Sequence, residues 1–222
     1  MVRKMNYKYI FLFAIFGLLF SSCSDEESSD LSCLTAEMCD VYLSAPQTAN
    51  MALTDSDRKI SFEKPLTISW ASKADSTYRA MLYYNAPITS SVVSPLYAER
   101  VLILVPQAKE KAEEWRDNAD PVILNSLWLA KNGKYLNMSV SVKSGATSDD
   151  TQYHSVGMVC DTVYRHAMNA KHCYRMCHSQ NDVPSHYTIK TYFSIPIVDV
   201  PRGDTISVTV PTYEGQKVIE VV

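Results

Sequence analysis

Short runs of alternating apolar and polar residues, separated by turn residues, fill the chain from residue 38 onward. The first group of runs is Met38–Leu43, Ala49–Leu53, Lys59–Phe62, Leu66–Trp70, Tyr78–Tyr84 and Glu99–Val105. Alternation with period two places successive side chains on opposite faces of a strand. Six short strands of this kind predict a small barrel or curled sheet, which we assign to residues 35–117.

One stretch interrupts this pattern. Residues 106–115 (PQAKEKAEEW) favour a helix, and Ala108, Ala112 and Trp115 would share one of its faces. Asp120 precedes a proline, and such a residue is pushed out of the helical region. The sequence therefore predicts one short bridging helix that ends before residue 118.

A second group of alternating runs follows the predicted helix. Its members are Val122–Ala130, Tyr135–Val142, Tyr153–Asp161, His172–His178, His186–Ile195, Thr205–Val210 and Lys217–Val222. Glycine-containing turns separate several of them, at residues 132–133, 144–145 and 202–203. This arrangement predicts a seven-stranded antiparallel β-sandwich over residues 118–222, so the whole fold is expected to be all-β.

The amino terminus differs from the rest of the chain. Basic residues between Arg3 and Lys8 precede an almost wholly apolar run, Tyr9–Phe20. A helix of that length rises about 18 Å, short of the ~30 Å hydrocarbon core of a bilayer. Residues 1–22 are therefore predicted to be a signal peptide rather than a membrane span.

Charge changes this picture in one respect. Loss of residues 1–22 would remove three basic residues and change the formal net charge from −3 to −6. The acids Asp25, Glu26, Glu27 and Asp30 lie directly behind Cys23, so residues 23–34 are predicted to be a solvated acidic tether. The remaining chain is nearly neutral, and a basic nucleic-acid binder is excluded.

Ser21, Ser22 and Cys23 resemble the lipobox of bacterial lipoproteins. The resemblance implies cleavage before Cys23, lipidation of that residue and attachment to a membrane. Ordinary secretion with cleavage near Ser22 is the alternative. The acidic tether resembles the export signal of surface lipoproteins of the Bacteroidota, which implies an outer-membrane protein exposed at the cell surface. A plain polar spacer on a periplasm-facing lipoprotein is the alternative.

Besides the leader, five segments of the chain match a known family, namely DPVILNSLWLA (120–130), GKYLNMSV (133–140), YFS (192–194), GDTISV (203–208) and YEGQKV (213–218). In these segments the chain resembles the NigD-like lipoproteins of the Bacteroidota. The resemblance implies an N-terminal OB-like barrel followed by a C-terminal β-sandwich. It supplies no catalytic motif, and the family name derives from a bacteriocin-linked gene cluster, which suggests immunity.

Histidines and cysteines are concentrated in one segment, and they are His166, His172, Cys173, Cys177 and His178. On a helix, Cys173 and Cys177 would lie about 6 Å apart and could share a metal ion. On a strand they would be roughly 13 Å apart, too far for one ion. The segment occupies a predicted strand, so we expect structural residues and neither a metal nor a cofactor. Tyr174, Met176 and His178 should then form one face, and Cys173, Arg175 and Cys177 the other.

Five cysteines remain besides Cys23, an odd number for an exported protein. Cys33 and Cys39 could close a small disulfide loop. Cys160 and Cys173 could form a second disulfide if their strands make a hairpin. In addition, residues 161–163 (DTV) resemble O-glycosylation sites of exported Bacteroidota proteins, which makes Thr162 a candidate for modification.

The sequence contains no G-x-S-x-G, H-E-x-x-H or phosphate-binding glycine motif, so we expect no catalytic residues and no enzyme. OB modules can bind oligosaccharides by stacking, and Trp70, Tyr78, Tyr83 and Tyr84 could form such a platform or pack in the core. We expect a non-enzymatic, lipid-anchored module that binds a macromolecule, a glycan or a bacteriocin-like peptide. A structural or accessory component of an envelope complex is the alternative.

Overall fold

The computed structural model describes residues 33–115, 118–146 and 153–222. The predicted signal peptide, Cys23 and all but the last two residues of the predicted tether lie outside these ranges. In the described part of the chain, no helix has the length and apolar character needed to cross a bilayer.

The N-terminal module is a closed barrel. Its strands, in the order β1-β2-β3-β5-β4, are β1 (Leu34–Ala45), β2 (Thr48–Thr54), β3 (Lys59–Thr67), β4 (Ser76–Asn85) and β5 (Val92–Arg100). A parallel pairing between β3 and β5 closes the ring. The predicted barrel is therefore present with five strands rather than six, because the run predicted from Leu66 begins inside β3 and continues only as a turn.

Alternating side chains fill the barrel. Leu43, Ile60, Leu82 and Tyr84 are fully buried there. The hydroxyl of Tyr84 donates a hydrogen bond to Glu37. Burial raises the pKa of Tyr84 to about 12. The inward position of Tyr84 therefore satisfies its polar atom and leaves its ring in the core.

The C-terminal module is a sandwich of two sheets. One sheet has the order β14-β13-β11-β10-β7 and the other the order β6-β12-β9-β8. The strands are β6 (Leu102–Ile103), β7 (Gln107–Ala108), β8 (Ile123–Leu129), β9 (Tyr135–Ser144), β10 (Ser155–Arg165), β11 (Ala170–Ser179), β12 (Tyr187–Pro196), β13 (Thr205–Thr212) and β14 (Gly215–Val221). The all-β prediction is confirmed, and strands β8 to β14 correspond to the seven predicted runs.

Two features of the sandwich differ from the prediction. Strands β11 and β13 pair in parallel, so the sandwich is mixed rather than purely antiparallel. The reason is topological, because β12 lies in the opposite sheet and the chain returns to the first sheet in its original direction. In addition, β6 and β7 join the sandwich, so its first strand precedes the boundary that we predicted near residue 118.

The predicted bridging helix is wrong. The segment forms β7 and two 3₁₀ turns, Lys109–Lys111 and Glu113–Trp115. An isolated helix of about ten residues is marginal in water, because nucleation is costly. Here the pairing of β7 with β10 and the packing of Ala112 and Trp115 against Val159 and Cys177 hold the backbone in another form.

Candidate binding surface at the domain joint

One flank of the barrel packs against the outer face of the four-stranded sheet. Because side chains alternate along a strand, the residues of β4 that do not fill the barrel point outward, namely Arg79, Met81 and Tyr83. On the facing sheet, Asn137 of β9 and Ser194 of β12 have the parity opposite to the core residues of their strands. These two sets of side chains meet at the domain joint.

A buried arginine lies at the centre of the joint. The Arg79 side chain is 1% exposed. Its Nε donates to Ser194 Oγ at 2.9 Å, and its Nη2 donates to Asn137 Oδ1 at 3.1 Å and to the Asp55 carboxylate at 2.7 Å. Its Nη1 lies 3.4 Å from Asp40 Oδ1. A barrel cation is thus held by groups from both modules.

Further contacts complete this network. Asn137 Nδ2 donates to the Asp55 carboxylate at 2.6 Å. The Arg79 guanidinium lies 4.2 Å from the centroid of the Tyr135 ring. Burial raises the pKa of Asp40, and the opposing attraction of Arg79 does not fully offset it. The charged groups of the joint are therefore paired with one another, and Arg79 and Asp55 also bond to sandwich side chains, which is a structural use of those groups.

An apolar contact lies beside the arginine network. Met38, Met81 and Val101 are buried there. Tyr83 of the barrel and two sandwich residues, Trp128 and Tyr192, pack against them. The joint thus combines a polar centre with apolar packing, as stable domain interfaces do.

Three tyrosine rings lie at the edge of this apolar contact. Tyr83 and Tyr97 are directly opposed on β4 and β5 and stack with centroids 4.2 Å apart and planes inclined by 12°. Tyr97 is 53% exposed, whereas burial raises the pKa of Tyr83 above its usual range. Lys190 Nζ lies 5.1 Å from the Tyr192 ring. We call Tyr83, Tyr97 and Tyr192 the tyrosine surface. Tyr97 is its exposed ring, whereas Tyr83 and Tyr192 are partly buried in the joint. A rigid exposed tyrosine ring can bind a ligand by stacking.

The four aromatic residues that the sequence indicated as a platform lie in three different places in the structure. Tyr84 fills the core, and only Tyr83 joins the tyrosine surface. Trp70 and Tyr78 make an edge-to-face pair at 6.0 Å beside a cavity of about 280 Å³. Trp70 Nε1 donates to the Ala98 carbonyl, so its polar atom is already used. Alternation along β4 could have indicated the outward position of Tyr83, but not that Tyr192 of the distant strand β12 packs against the same cluster.

Neither candidate disulfide is formed in the structure. Cys33 immediately precedes β1 and Cys39 lies within it, so about 20 Å of extended chain separates them, whereas a disulfide needs Cα atoms about 4.4–6.8 Å apart. A bulge in β10 places Thr162 opposite Cys173. Cys160 instead packs against the sandwich core, on the face opposite to Cys173. Both Cys160 and Cys173 are free thiols.

The histidine and cysteine segment forms β11, and the predicted division into two faces is confirmed. Tyr174 and Met176 enter the sandwich core, whereas Cys177 packs on the other side with Trp115. His178 Nε2 is hydrogen-bonded to His154 Nδ1 at 2.9 Å. His172 Nε2 is hydrogen-bonded to Asp204 Oδ2 at 2.9 Å. Among the described residues, no three His, Cys, Asp or Glu side chains form a metal-binding group.

Thr162 is exposed on β10, beside the bulge. Its hydroxyl is therefore accessible in the folded protein. Its glycosylation remains a prediction.

Comparison with solved structures identifies the architecture. A NigD-like immunity protein from Bacteroides caccae has a TM-score of 0.61 and 19% identity, with 84% of this chain and 91% of that chain covered. The chain has the NigD-like fold. A protein of unknown function from Bacteroides vulgatus has a TM-score of 0.58 and 13% identity, with coverages of 85% and 90%. A candidate lipoprotein from Bacteroides fragilis has a TM-score of 0.57 and 12% identity, with coverages of 84% and 96%.

No protein-family model and no curated protein matches the sequence. The NigD-like resemblance first drawn from sequence motifs is nevertheless confirmed by the fold. The structure also gives several of those motif residues a physical role. Trp128, Tyr135, Asn137, Tyr192 and Ser194 all lie at the joint, where they contact the barrel flank. In this chain of NigD-like fold, residues from three of the matching segments therefore join the two modules.

Proposed function

We propose that this chain is a lipid-anchored outer-membrane protein of the NigD-like type, displayed at the cell surface, that binds a glycan or a bacteriocin-like peptide without catalysing a reaction. The observation that carries the binding role is the tyrosine surface, because the exposed Tyr97 ring is held by stacking on Tyr83 and costs little entropy to present to a ligand. The fold shared with an immunity protein supports the peptide alternative.

The use of the polar groups supports a binding role over catalysis. Asp40 and Asp55 are engaged by Arg79 at the joint, and His172 is engaged by Asp204. Groups that are already paired in this way are poorly placed to transfer protons or attack a substrate. Ligand binding at the adjacent tyrosine surface needs no such group.

The anchor is proposed from Cys23 and the acidic residues behind it. Several acyl chains on one cysteine would hold the protein stably, since each buried methylene contributes about 0.8 kcal/mol. The test is metabolic labelling with an alkyne fatty acid in cells that express the wild type or Cys23→Ser. We expect label and membrane fractionation for the wild type only. Equal labelling of the two proteins would overturn the anchor.

The binding role is tested with a glycan array and with protection of cells against bacteriocin-containing culture supernatant. Tyr97→Ala should abolish whichever signal the wild type gives. Tyr164→Ala is the matched control, because Tyr164 is similarly exposed but lies on β10. If neither assay gives a signal with the wild type, or if both variants behave alike, the tyrosine surface is not the binding site.

A further inference from the structure

Three exposed apolar side chains lie at one end of the barrel, where β1 and β5 begin and β4 ends. Leu34, Ile88 and Val92 are 49%, 57% and 55% exposed. Leu34 opens β1 and is paired with Asn85 at the end of β4. Val92 opens β5, and Ile88 lies in the loop that joins β4 to β5. We call Leu34, Ile88 and Val92 the apolar rim.

The loop that carries Ile88 is held by hydrogen bonds to other parts of the barrel. The Ala86 N–H donates to the Cys33 carbonyl at 3.1 Å. The Arg58 side chain donates to the Ser90 carbonyl. The rim is therefore an ordered part of the barrel that presents apolar side chains to solvent.

The charges around the rim suit a lipid surface. Residues 85–98 contain no acidic or basic side chain. Arg58, which contacts the loop, is paired with Glu37. Lys59 is exposed at the start of β3, the strand that pairs with β5 at Val92. Transfer of the rim out of water would therefore bury apolar area, while Lys59 could reach the phosphates of anionic lipids.

The amino-terminal segment enters the barrel at this same rim. Cys33 immediately precedes β1, and its carbonyl is bonded to the loop. It lies ten residues after the proposed anchor at Cys23, a length of chain that spans at most about 35 Å. The twelve residues of β1 lead from the rim to the opposite end of the barrel, over about 40 Å. Of the two barrel ends, the rim is therefore the one held close to the bilayer.

We propose that the apolar rim docks on the lipid bilayer that holds the anchor, with Ile88 and Val92 at the level of the headgroups. This inference rests on the proposed lipidation of Cys23. A soluble partner would have to enter the narrow gap between the rim and the bilayer, whereas the lipid is always within reach of the tethered rim. Docking fixes the orientation of the barrel, so its opposite end points away from the membrane.

The test is photolabelling of the full-length chain in vesicles of phosphatidylethanolamine and phosphatidylglycerol. A fraction of the lipid carries a diazirine in the acyl chain close to the headgroup, and mass spectrometry of tryptic peptides locates the adducts. We expect about tenfold more adduct on peptide 80–100, which contains Ile88 and Val92, than on peptide 166–171. Peptide 166–171 contains Met168, which is 98% exposed but lies at the tip of the β10–β11 hairpin.

Substitutions in the rim should remove this labelling. The double variant Ile88→Ser/Val92→Ser should lower the adduct on peptide 80–100 about fivefold or more, and Ile88→Ser alone about threefold. Val218→Ser is the matched control, because Val218 is similarly exposed, at 58%, but lies on β14. It should leave the adduct on peptide 80–100 unchanged.

The mass of the purified chain separates this inference from the anchor on which it rests. A chain without acyl groups on Cys23 would overturn the anchor and the docking together. Acyl groups with equal adducts on the two peptides, or with adducts that the double variant keeps, would overturn the docking alone. A dimer in native mass spectrometry that the double variant dissociates would show that a second copy covers the rim instead of lipid. Ile88→Ser changes one exposed loop side chain, so it keeps the test decisive if the double variant fails to fold.

Discussion

Replacement of Arg79 by methionine would remove the cation at the centre of the domain joint. Methionine has a similar length and no charge, so the volume is largely kept while every hydrogen bond of the guanidinium is lost. The carboxylates of Asp40 and Asp55 would then lie partly buried without a counter-ion. The polar atoms of Asn137 and Ser194 would each lose a partner.

Breaking a buried ion pair by removal of one partner costs about 3–5 kcal/mol. The side chains of Asp40 and Asp55 keep 18% and 15% of their exposure, so water compensates in part and the lower end of that range applies. We expect a loss of about 3 kcal/mol in the free energy of unfolding. For a chain of this length, that corresponds to a fall of about 6–12 °C in Tm.

Differential scanning calorimetry and urea unfolding measure this loss directly. The calorimetric transition of Arg79→Met should also broaden or split, because the barrel and the sandwich lose the network that couples them. Arg100→Met is the control, since Arg100 is exposed, and it should change stability by less than about 0.5 kcal/mol. A loss below about 1 kcal/mol in Arg79→Met, with one sharp transition, would refute the role assigned to Arg79.

Three further predictions concern the sandwich. The methyl group added by Gly157→Ala would approach the indole ring of Trp115 to within 2.6 Å. We therefore expect the free energy of unfolding, measured with urea, to fall by about 1–3 kcal/mol. An unchanged urea midpoint would contradict this packing. Burial and the neighbouring His178 lower the pKa of His154, so the folded state binds this proton less readily than the unfolded state does. Stability should therefore fall as pH drops below about 6.5, and it should fall less steeply in His154→Gln. Urea midpoints at pH 7.5 and 5.5 measure both slopes. Peptide mapping after alkylation under denaturing, non-reducing conditions should find Cys160 and Cys173 both labelled, whereas a disulfide-linked peptide would contradict the register of β10 and β11.

Strand positions could be predicted from the sequence wherever alternation was regular. The β11 segment shows this well, since its two faces follow from period two alone and place Met176 inside and Cys177 outside. Most of strand β5 was not predicted from the sequence, because Pro95 interrupts the alternation of apolar and polar residues there. That proline lies at an irregularity in the pairing with β4, where a strand tolerates the loss of a backbone donor.

The domain joint could not be predicted, because its partners come from distant parts of the chain. Arg79 has the parity of Met81 and Tyr83, so a charged residue on a partly apolar face was visible in the sequence. Its counterparts, Asn137 and Ser194, lie about sixty and more than one hundred residues further along. Motif resemblance marked those positions without stating what they contact. Only the packing of the barrel on the sheet showed that they bind the arginine.

The proposed function depends most directly on where the folded modules lie in the cell. Intact cells that express the full-length chain should be treated with a non-permeant protease, and the barrel and sandwich should then be followed by immunoblotting. We predict that wild-type protein is lost from intact cells while a periplasmic marker survives. Persistence of the protein in intact cells, with complete digestion after lysis, would contradict surface display.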